Sequence, residues 1–351
     1  MTTTRSNSRL DTAPIEALDT LIRNAGGDPE VLSGKLIREM MHTCLKLVRD
    51  DSDNGELKLI GRSLKELRYA MKVFRPYRDV RKVSVFGSAR TPEDHPHYQA
   101  AEAFCRAIAR AKWMVITGAG DGIMRAGHGG AGRDASFGVA IRLPFETSTN
   151  EFIVGDEKLI MFRYFFTRKL MFVSQADAVA LFPGGFGTHD EGFEVLTLVQ
   201  TGKTVMIPLV MVDAPGDDYW KQWDQYVKNH LLAKGMISPD DLNLYLVTDD
   251  TDEAVKYVLD FYRNYHSQRY VLDDLVLRLQ RPLTDAQLDA LNTDFADLVK
   301  TGRIRQGGPL EGETDYLDLP RIIFHFSKRA YARLRLMIDQ INRFDAANTD
   351  A

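Results

Sequence analysis

Cysteine is scarce in this chain: Cys44 and Cys105 are the two among 351 residues. Their wide separation argues against a disulfide framework and suits a reducing compartment. The eight histidines show no HxxxH or similar ligand spacing, which argues against a zinc site. We therefore expect a cytoplasmic protein that works without a metal and without a cofactor.

Long apolar runs and an excess of positive charge are also missing. No run is long enough to span a membrane, and Met1–Ser8 lacks the apolar core of a signal peptide, so we expect a frayed tail there. The chain has 45 Lys and Arg against 49 Asp and Glu, a net charge of −4. Such a balance gives no general basic field for nucleic acid. We expect neither a nucleic-acid nor a membrane partner.

The chain does contain apolar strands that alternate with helical segments over residues 80–265. This alternation is typical of an α/β protein and predicts a Rossmann-like, doubly wound parallel sheet. Two further predicted helices complete this domain, at Tyr219–Leu232 and Thr251–Tyr265. The predicted strands are Val83–Phe86, Trp113–Thr117, Gly138–Ile141, Leu159–Met161, Ala178–Phe182 and Val205–Val212.

Segments of different character flank this predicted domain. Residues 1–79 form a tail and a helical segment, in which residues 14–75 show helical spacing. Residues 266–351 read as a small α+β appendage, with a regulatory, dimer-forming or lid role left open. One apolar helix face predicts packing on the core or on a partner subunit: Leu36, Ile37, Met40, Met41, Cys44, Leu45 and Val48. The appendage is predicted to contain the strands Tyr270–Leu279, Gly302–Arg305 and Ile322–Phe326 and the helices Thr284–Leu298 and Tyr331–Arg343.

The most informative segment is Pro183–Glu191, which reads PGGFGTHDE between an apolar strand and a helix. A glycine turn there points backbone N–H groups and the positive end of the helix dipole at an anion, usually a phosphate. Thr188 is expected to cap the helix or to bond a phosphate oxygen. Glu191, expected in the first helical turn, is a candidate carboxylate for chemistry on a bound nucleotide or sugar phosphate.

Two further glycine turns follow predicted strands. One is Thr117–Met124, which lacks the Lys-Ser/Thr pair of a P-loop, and the other is Gly87-Ser88. Three such turns fit the crevice of a doubly wound sheet, where ligands bind beyond the carboxyl ends of the strands. Arg168 and Lys169 interrupt the apolar helix Phe165–Val173. They are either solvated or ligands of the same anion.

In order and spacing, these motifs resemble the Lonely Guy (LOG) family, often labelled "lysine decarboxylase-like", over roughly residues 80–265. Every fixed position of its PGGxGTxxE motif is present. The resemblance implies a Rossmann-like fold, a homodimer or higher homo-oligomer, and hydrolysis of nucleoside 5′-monophosphates, such as AMP or cytokinin nucleotides, to base and ribose 5-phosphate. It implies a catalytic pair, Arg168 and Glu191. The implied substrate-binding residues are Gly87, Ser88, Gly118, Gly120, Gly122, Met124, Lys169, Gly184, Gly185, Gly187 and Thr188.

The sequence departs from the family at Asp121, where many longer relatives have Pro, at His189, usually Leu, and at Gly192, usually apolar. These changes bear on base preference and rate more than on fold. Decarboxylation is disfavoured, because Lys169 is the only lysine in the motifs and no framework for pyridoxal phosphate accompanies it. A different alternative remains, a nucleotide-binding or carrier protein without turnover, since a fold does not fix function.

The chemistry also follows from the residues themselves. Cleavage of an N-glycosidic bond passes through an oxocarbenium-like sugar, which a nearby carboxylate can stabilise. The same carboxylate can hold the ribose hydroxyls or activate water. Glu191 is predicted to take this role, with Arg168 orienting it or binding the phosphate through its planar fork.

Overall fold

The computed structural model describes residues 12–142 and 149–349, and the chain divides into two compact units, residues 1–66 and 67–351. The expected frayed tail, Met1–Ser8, lies outside the described residues. Within these ranges no helix is long and apolar enough to cross a membrane. Each unit is described by itself.

The first unit is helical, as the spacing predicts. It contains α1 (Thr12–Asn24), α2 (Leu32–Arg49) and the start of α3 (Asn54–Phe74). An ion pair of 2.7 Å between Arg38 and Asp19 links α2 to α1. The expected packing of the α2 apolar face on a core is wrong for five side chains, because they are exposed by between 43% and 81%: Leu36, Ile37, Met40, Leu45 and Val48. Coverage by a partner subunit stays a prediction.

The second unit contains a seven-stranded parallel sheet, which confirms the predicted Rossmann-like α/β class. The strand order is β4-β3-β2-β1-β5-β6-β7. The chain runs outward from β1 to β4 and returns to pair β5 with the other side of β1, so the order reverses between these two strands. The strands are β1 (Lys82–Phe86), β2 (Met114–Thr117), β3 (Ser136–Ile141), β4 (Leu159–Phe162), β5 (Ala178–Leu181), β6 (Leu209–Val212) and β7 (Tyr245–Thr248).

Helices cover both faces of this sheet, and side chains alternate between two cores along each strand. Val83 and Val85 of β1 pack in one core with α4, whereas Phe86 packs in the other with α6. This double cover explains the almost continuous apolar character of the strands. The helices are α4 (Pro96–Arg110), α5 (Ile123–Ala131), α6 (Phe165–Ser174), α7 (Phe186–Gln200), α8 (Tyr219–Tyr226, continued as a π-helix over Val227–Leu232) and α9 (Thr251–Asp260).

Some predicted boundaries are wrong. The sixth strand begins at Leu209 rather than Val205; it follows Pro208, which has no N–H to give to a strand ladder. The seventh strand, β7, was not predicted. The closing helix Thr251–Tyr265 ends at Asp260, and Tyr265 instead begins a strand.

The appendage is an antiparallel four-stranded sheet of order β10-β11-β9-β8 with two helices, which confirms the predicted α+β class. The single predicted strand Tyr270–Leu279 is a hairpin, because Leu272 adopts a positive φ of 52° and turns the chain. The predicted helix at Thr284 ends early, at Asp294. The elements are β8 (Tyr265–Val271), β9 (Asp274–Leu279), α10 (Asp285–Asp294), β10 (Val299–Gly307), β11 (Arg321–Phe326) and α11 (Tyr331–Thr349). Domain boundaries at residues 79 and 265 stay a prediction.

Candidate functional site

The three predicted glycine turns meet where the strand order reverses. The N–H of Ser88 donates to the carbonyl of Pro183 at 3.0 Å, and the N–H of Ile123 donates to the carbonyl of Ser88 at 3.0 Å. Close packing requires glycine here. A Cβ on Gly122, whose φ is +60°, would lie 2.2 Å from the Ser88 oxygen, and one on Gly184 would lie 2.1 Å from the Thr188 hydroxyl. The turns therefore form one connected wall.

This wall bounds a cavity of about 1190 Å³. Most of the predicted site residues line it, and two do not. Gly122 lies behind the second turn as the N-cap of α5, and Lys169 forms ion pairs with Asp190 at 2.8 Å and Glu194 at 3.0 Å. The predicted residues that do line the cavity are Gly87, Ser88, Gly118, Gly120, Met124, Arg168, Gly184, Gly185, Gly187, Thr188 and Glu191.

The start of α7 corrects two predictions. Gly185 is the N-cap, in an extended conformation and without a side-chain hydrogen bond, so Thr188 is the third helical residue and not the cap. Glu191 consequently lies in the second helical turn rather than the first. Early N–H groups of a helix have no intrahelical acceptor, so those of Phe186 and Gly187 are available to an anion at the cavity wall.

Glu191 is a buried carboxylate at this wall, with 4% of its surface exposed. Within the described part of the chain its Oε2 atom has no hydrogen-bond partner. Burial raises the pKa of Glu191 to about 7, against the opposing charges of Lys169 and Arg168, while Glu194 and Asp190 add to the rise. Near neutral pH both protonation states are therefore populated, as suits a group that exchanges protons.

Arg168 reaches the cavity from α6 between two aromatic rings. Its guanidinium carbon lies 5.0 Å from the centre of the Phe165 ring and 5.5 Å from that of Phe172. Lys169 is directed toward α7 instead, as the ~100° between neighbouring helical side chains requires. The two cations thus have different surroundings: of this pair, Arg168 lines the cavity and Lys169 does not.

A buried network that the sequence did not reveal supports the second glycine turn. The Asn150 amide donates to the Gly120 carbonyl at 2.9 Å, which leaves its Oδ1 facing Nδ1 of His128 at 3.1 Å. Burial lowers the pKa of His128, whose Nε2 lies 3.0 Å from the Thr117 hydroxyl and 3.1 Å from the carbonyl oxygen of Phe137. The same hydroxyl accepts from the N–H of Ala119, which has a positive φ of 62°. The network holds this strained turn in place.

Other lining residues were also missed. Arg90, Arg142 and Tyr219 face the same cavity. Arg90 lies two residues after Ser88 of the Gly87-Ser88 turn, so its position after the first strand was a usable signal. Tyr219 comes from α8, and no local pattern links it to the glycine turns. Among the described residues no group of three or more His, Cys, Asp or Glu is placed to hold a metal ion.

Comparison with known proteins places this site in context. Residues 121–258 match the model of a family described as "Possible lysine decarboxylase". A cytokinin riboside 5′-monophosphate phosphoribohydrolase of Rhodococcoides fascians is 27% identical over 177 residues, which are 50% of this chain and 87% of that protein. The protein of the same name from Mycobacterium tuberculosis (strain ATCC 25618 / H37Rv) is 34% identical over 101 residues, 28% of this chain and 51% of that one.

Solved structures overlap less well. The molybdenum cofactor carrier protein of Chlamydomonas reinhardtii is 18% identical, covering 51% of this chain and 96% of its own, with a TM-score of 0.37. The molybdenum cofactor binding protein of Rippkaea orientalis is 17% identical, covering 50% and 93%, with a TM-score of 0.34. Overlaps of this size indicate nothing about function.

The matched segment contains Arg168 and the whole Pro183–Glu191 motif. The named relatives agree with the family that the motifs indicate. The resemblance that the motifs predict is thus confirmed over residues 121–258, the part of the chain that matches the family model.

Proposed function

We propose that this chain hydrolyses the N-glycosidic bond of nucleoside 5′-monophosphates and releases the base and ribose 5-phosphate. The observation that carries the proposal is Glu191, a buried carboxylate with a pKa raised to about 7 on a cavity wall made of glycine turns. The two named relatives act on a substrate of this class. AMP and cytokinin-type nucleotides are accordingly the first substrates to test.

The phosphate would bind at the turn Gly184–Thr188 and the start of α7, where N–H groups and the helix dipole favour an anion. Three guanidinium groups, those of Arg90, Arg142 and Arg168, line the cavity alongside the carboxylate of Glu191. This surplus of positive charge favours a phosphorylated substrate over a neutral nucleoside. The bound phosphate would then position the reacting sugar carbon.

In the reaction, the bond between C1′ and the base nitrogen breaks and its electron pair leaves with the base, which takes up a proton from solvent. The ribose gains oxocarbenium character, which the ionised Glu191 stabilises. A water molecule adds to C1′ and gives its proton to the same carboxylate. The proton that Glu191 accepts from the attacking water then returns to solvent. Arg168 orients Glu191 or binds the phosphate through its planar fork. None of these steps needs a metal or a cofactor.

Lysine decarboxylation has weaker support. A lysine that forms a Schiff base must lose its proton readily. Burial alone would lower the pKa of Lys169, but hydrogen bonds to Asp190 and Glu194 outweigh burial and raise it above its ordinary value. Lys169 is therefore held as an ammonium group, which suits a fixed ion pair rather than a nucleophile.

Incubation with AMP, other nucleoside monophosphates and a cytokinin riboside monophosphate tests the proposal directly. Chromatography should show free base and ribose 5-phosphate in equal amounts. Adenosine is the matched control, and we expect its kcat/KM to be at least about 100-fold lower, because it offers no phosphate to the glycine turn. Tight binding of every nucleotide without release of base would contradict hydrolysis and favour the carrier alternative.

A cytoplasmic homo-oligomer is part of the same proposal.

A further inference from the structure

Two side chains from different helices meet at the backbone of the phosphate turn. The Tyr219 hydroxyl, from α8, lies 2.5 Å from the carbonyl oxygen of Gly184. Nε2 of His189, from α7, lies 2.7 Å from the same hydroxyl. Both side chains line the cavity. His189 stands at one of the three positions where this chain departs from the family pattern, so the contact distinguishes this chain.

The direction of each hydrogen bond follows from the groups involved. A carbonyl oxygen only accepts, so Tyr219 donates its single proton to Gly184. Tyr219 can then only accept from His189, which fixes the imidazole as the tautomer with a proton on Nε2. Rings around His189 help to hold it, with the Trp220 ring centre at 5.4 Å and that of Phe193 at 6.4 Å.

The peptide plane carries this restraint into the turn. The peptide between Gly184 and Gly185 is planar, so a fixed carbonyl oxygen also fixes the N–H of Gly185, which points the opposite way. Gly185 is the N-cap of α7, and glycine backbones otherwise rotate freely. Because neither Gly184 nor Gly185 has a side chain that could restrict this plane, the hydrogen bond from Tyr219 is a restraint on its orientation.

We propose that Tyr219 and His189 are positioning residues that hold the Gly184–Gly185 peptide in the orientation that binds the substrate phosphate. The inference rests on the proposed function, since it assigns the phosphate to this turn. Neither residue needs to contact the reacting carbon. Their effect should therefore fall on recognition of the phosphate and not on cleavage of the glycosidic bond.

The test compares Tyr219→Phe and His189→Leu with Tyr226→Phe, a matched control on the same helix whose side chain is 54% exposed. Loss of one hydrogen bond predicts that Tyr219→Phe raises KM for AMP about tenfold and changes kcat by less than about threefold. His189→Leu should raise KM about threefold, and the double variant should match Tyr219→Phe alone, because the two residues act in series. Tyr226→Phe should match the parent.

Calorimetric binding of AMP and adenosine separates this inference from the proposed function. Tyr219→Phe should weaken AMP binding about tenfold and leave adenosine binding unchanged, whether or not the protein turns AMP over. Equal weakening of both ligands would show a general structural role and overturn the inference, as would parental AMP affinity in Tyr219→Phe. A parent that binds AMP but never releases base would overturn the proposed function alone.

Discussion

Two buried glutamates, one in the Rossmann-like domain and one in the appendage, differ in their hydrogen bonds and in the direction of their pKa shifts. Glu191 of the Rossmann-like domain and Glu313 of the appendage are exposed by only 4% and 8%. Glu313 accepts hydrogen bonds from Arg278 at 2.8 Å, Arg321 at 3.0 Å and the N–H of Leu310 at 2.9 Å. Glu191 has an oxygen with no hydrogen-bond partner in the described ranges. Two similarly buried carboxylates thus differ in how many hydrogen bonds they accept.

The pKa values diverge accordingly. Burial alone would raise the pKa of Glu313, but hydrogen bonds from Leu310, Arg321 and Arg278 outweigh it and lower the pKa to about 2. At Glu191 the burial effect prevails and the pKa rises to about 7. A satisfied buried carboxylate fixes a loop, whereas an unsatisfied one retains the reactivity that a bound substrate can use. The difference indicates a structural role for Glu313 and supports the chemical role that we propose for Glu191.

The largest effect should be on turnover. Glu191→Gln keeps the size of the side chain and removes the charge that stabilises an oxocarbenium, so we expect kcat for AMP to fall about 1000-fold while AMP binding changes little. Steady-state kinetics and calorimetry on the same preparation measure both quantities. A Gln variant that cleaves AMP at the parental rate would remove Glu191 from the mechanism.

The same substitution at the two glutamates should change the free energy of unfolding in opposite directions at pH 8. The pKa of Glu313 is lowered from 4.5, so its ionised form stabilises the fold above pH 4.5, and this contribution is lost as the pH falls toward 2. Glu313→Gln should therefore cost about 3 kcal/mol at pH 8.

The pKa of Glu191 is raised from 4.5 to about 7, so its ionisation in the folded state carries a penalty that grows from pH 4.5 to 7 and is constant above. Glu191→Gln should therefore gain up to about 3 kcal/mol at pH 8 and nothing near pH 4. Urea denaturation at the two pH values checks both variants. The same sign of change for both at pH 8 would break the comparison.

A smaller effect separates the two neighbouring cations of α6. Arg168→Lys should lower kcat/KM for AMP about 30-fold, because an ammonium group cannot bond two oxygens through a planar fork. Lys169→Ala should lower kcat/KM only a few-fold. Lys169 is held by Asp190 and Glu194 and affects Glu191 only through its positive charge, which opposes the rise in the pKa of Glu191. Kinetics with circular dichroism as a folding check measures both; parental activity in a folded Arg168→Lys variant would show that a point charge suffices.

The sequence predicted those parts of the site that depend on local backbone geometry. Strand, glycine turn and helix follow one another in the chain, so the three turns and their meeting at the sheet edge were predictable from spacing. The helix start at Phe186 was not, because glycine at position 185 takes the cap without the side chain that marks caps in sequence. Because α7 begins at Phe186, Thr188 and Glu191 lie about one turn further into the helix than the sequence predicted.

The sequence pattern could not predict contacts between residues that lie far apart in the chain. Tyr219 contacts Gly184 across 35 positions of sequence, and Asn150 contacts Gly120 across 30. Neither residue type marks a site by itself. The buried partners of Glu313 illustrate the same limit, since no local pattern in the sequence places Arg278 and Arg321 around it.

The pH dependence of kcat/KM for AMP tests most directly the claim that Glu191 acts as an ionised carboxylate whose pKa burial has raised. We expect a rate that rises about tenfold per pH unit below an inflection near pH 7 and is level above it. We expect no such inflection in the residual activity of Glu191→Gln. A rate that falls as the pH rises through 7, or an inflection that persists in the Gln variant, would contradict it.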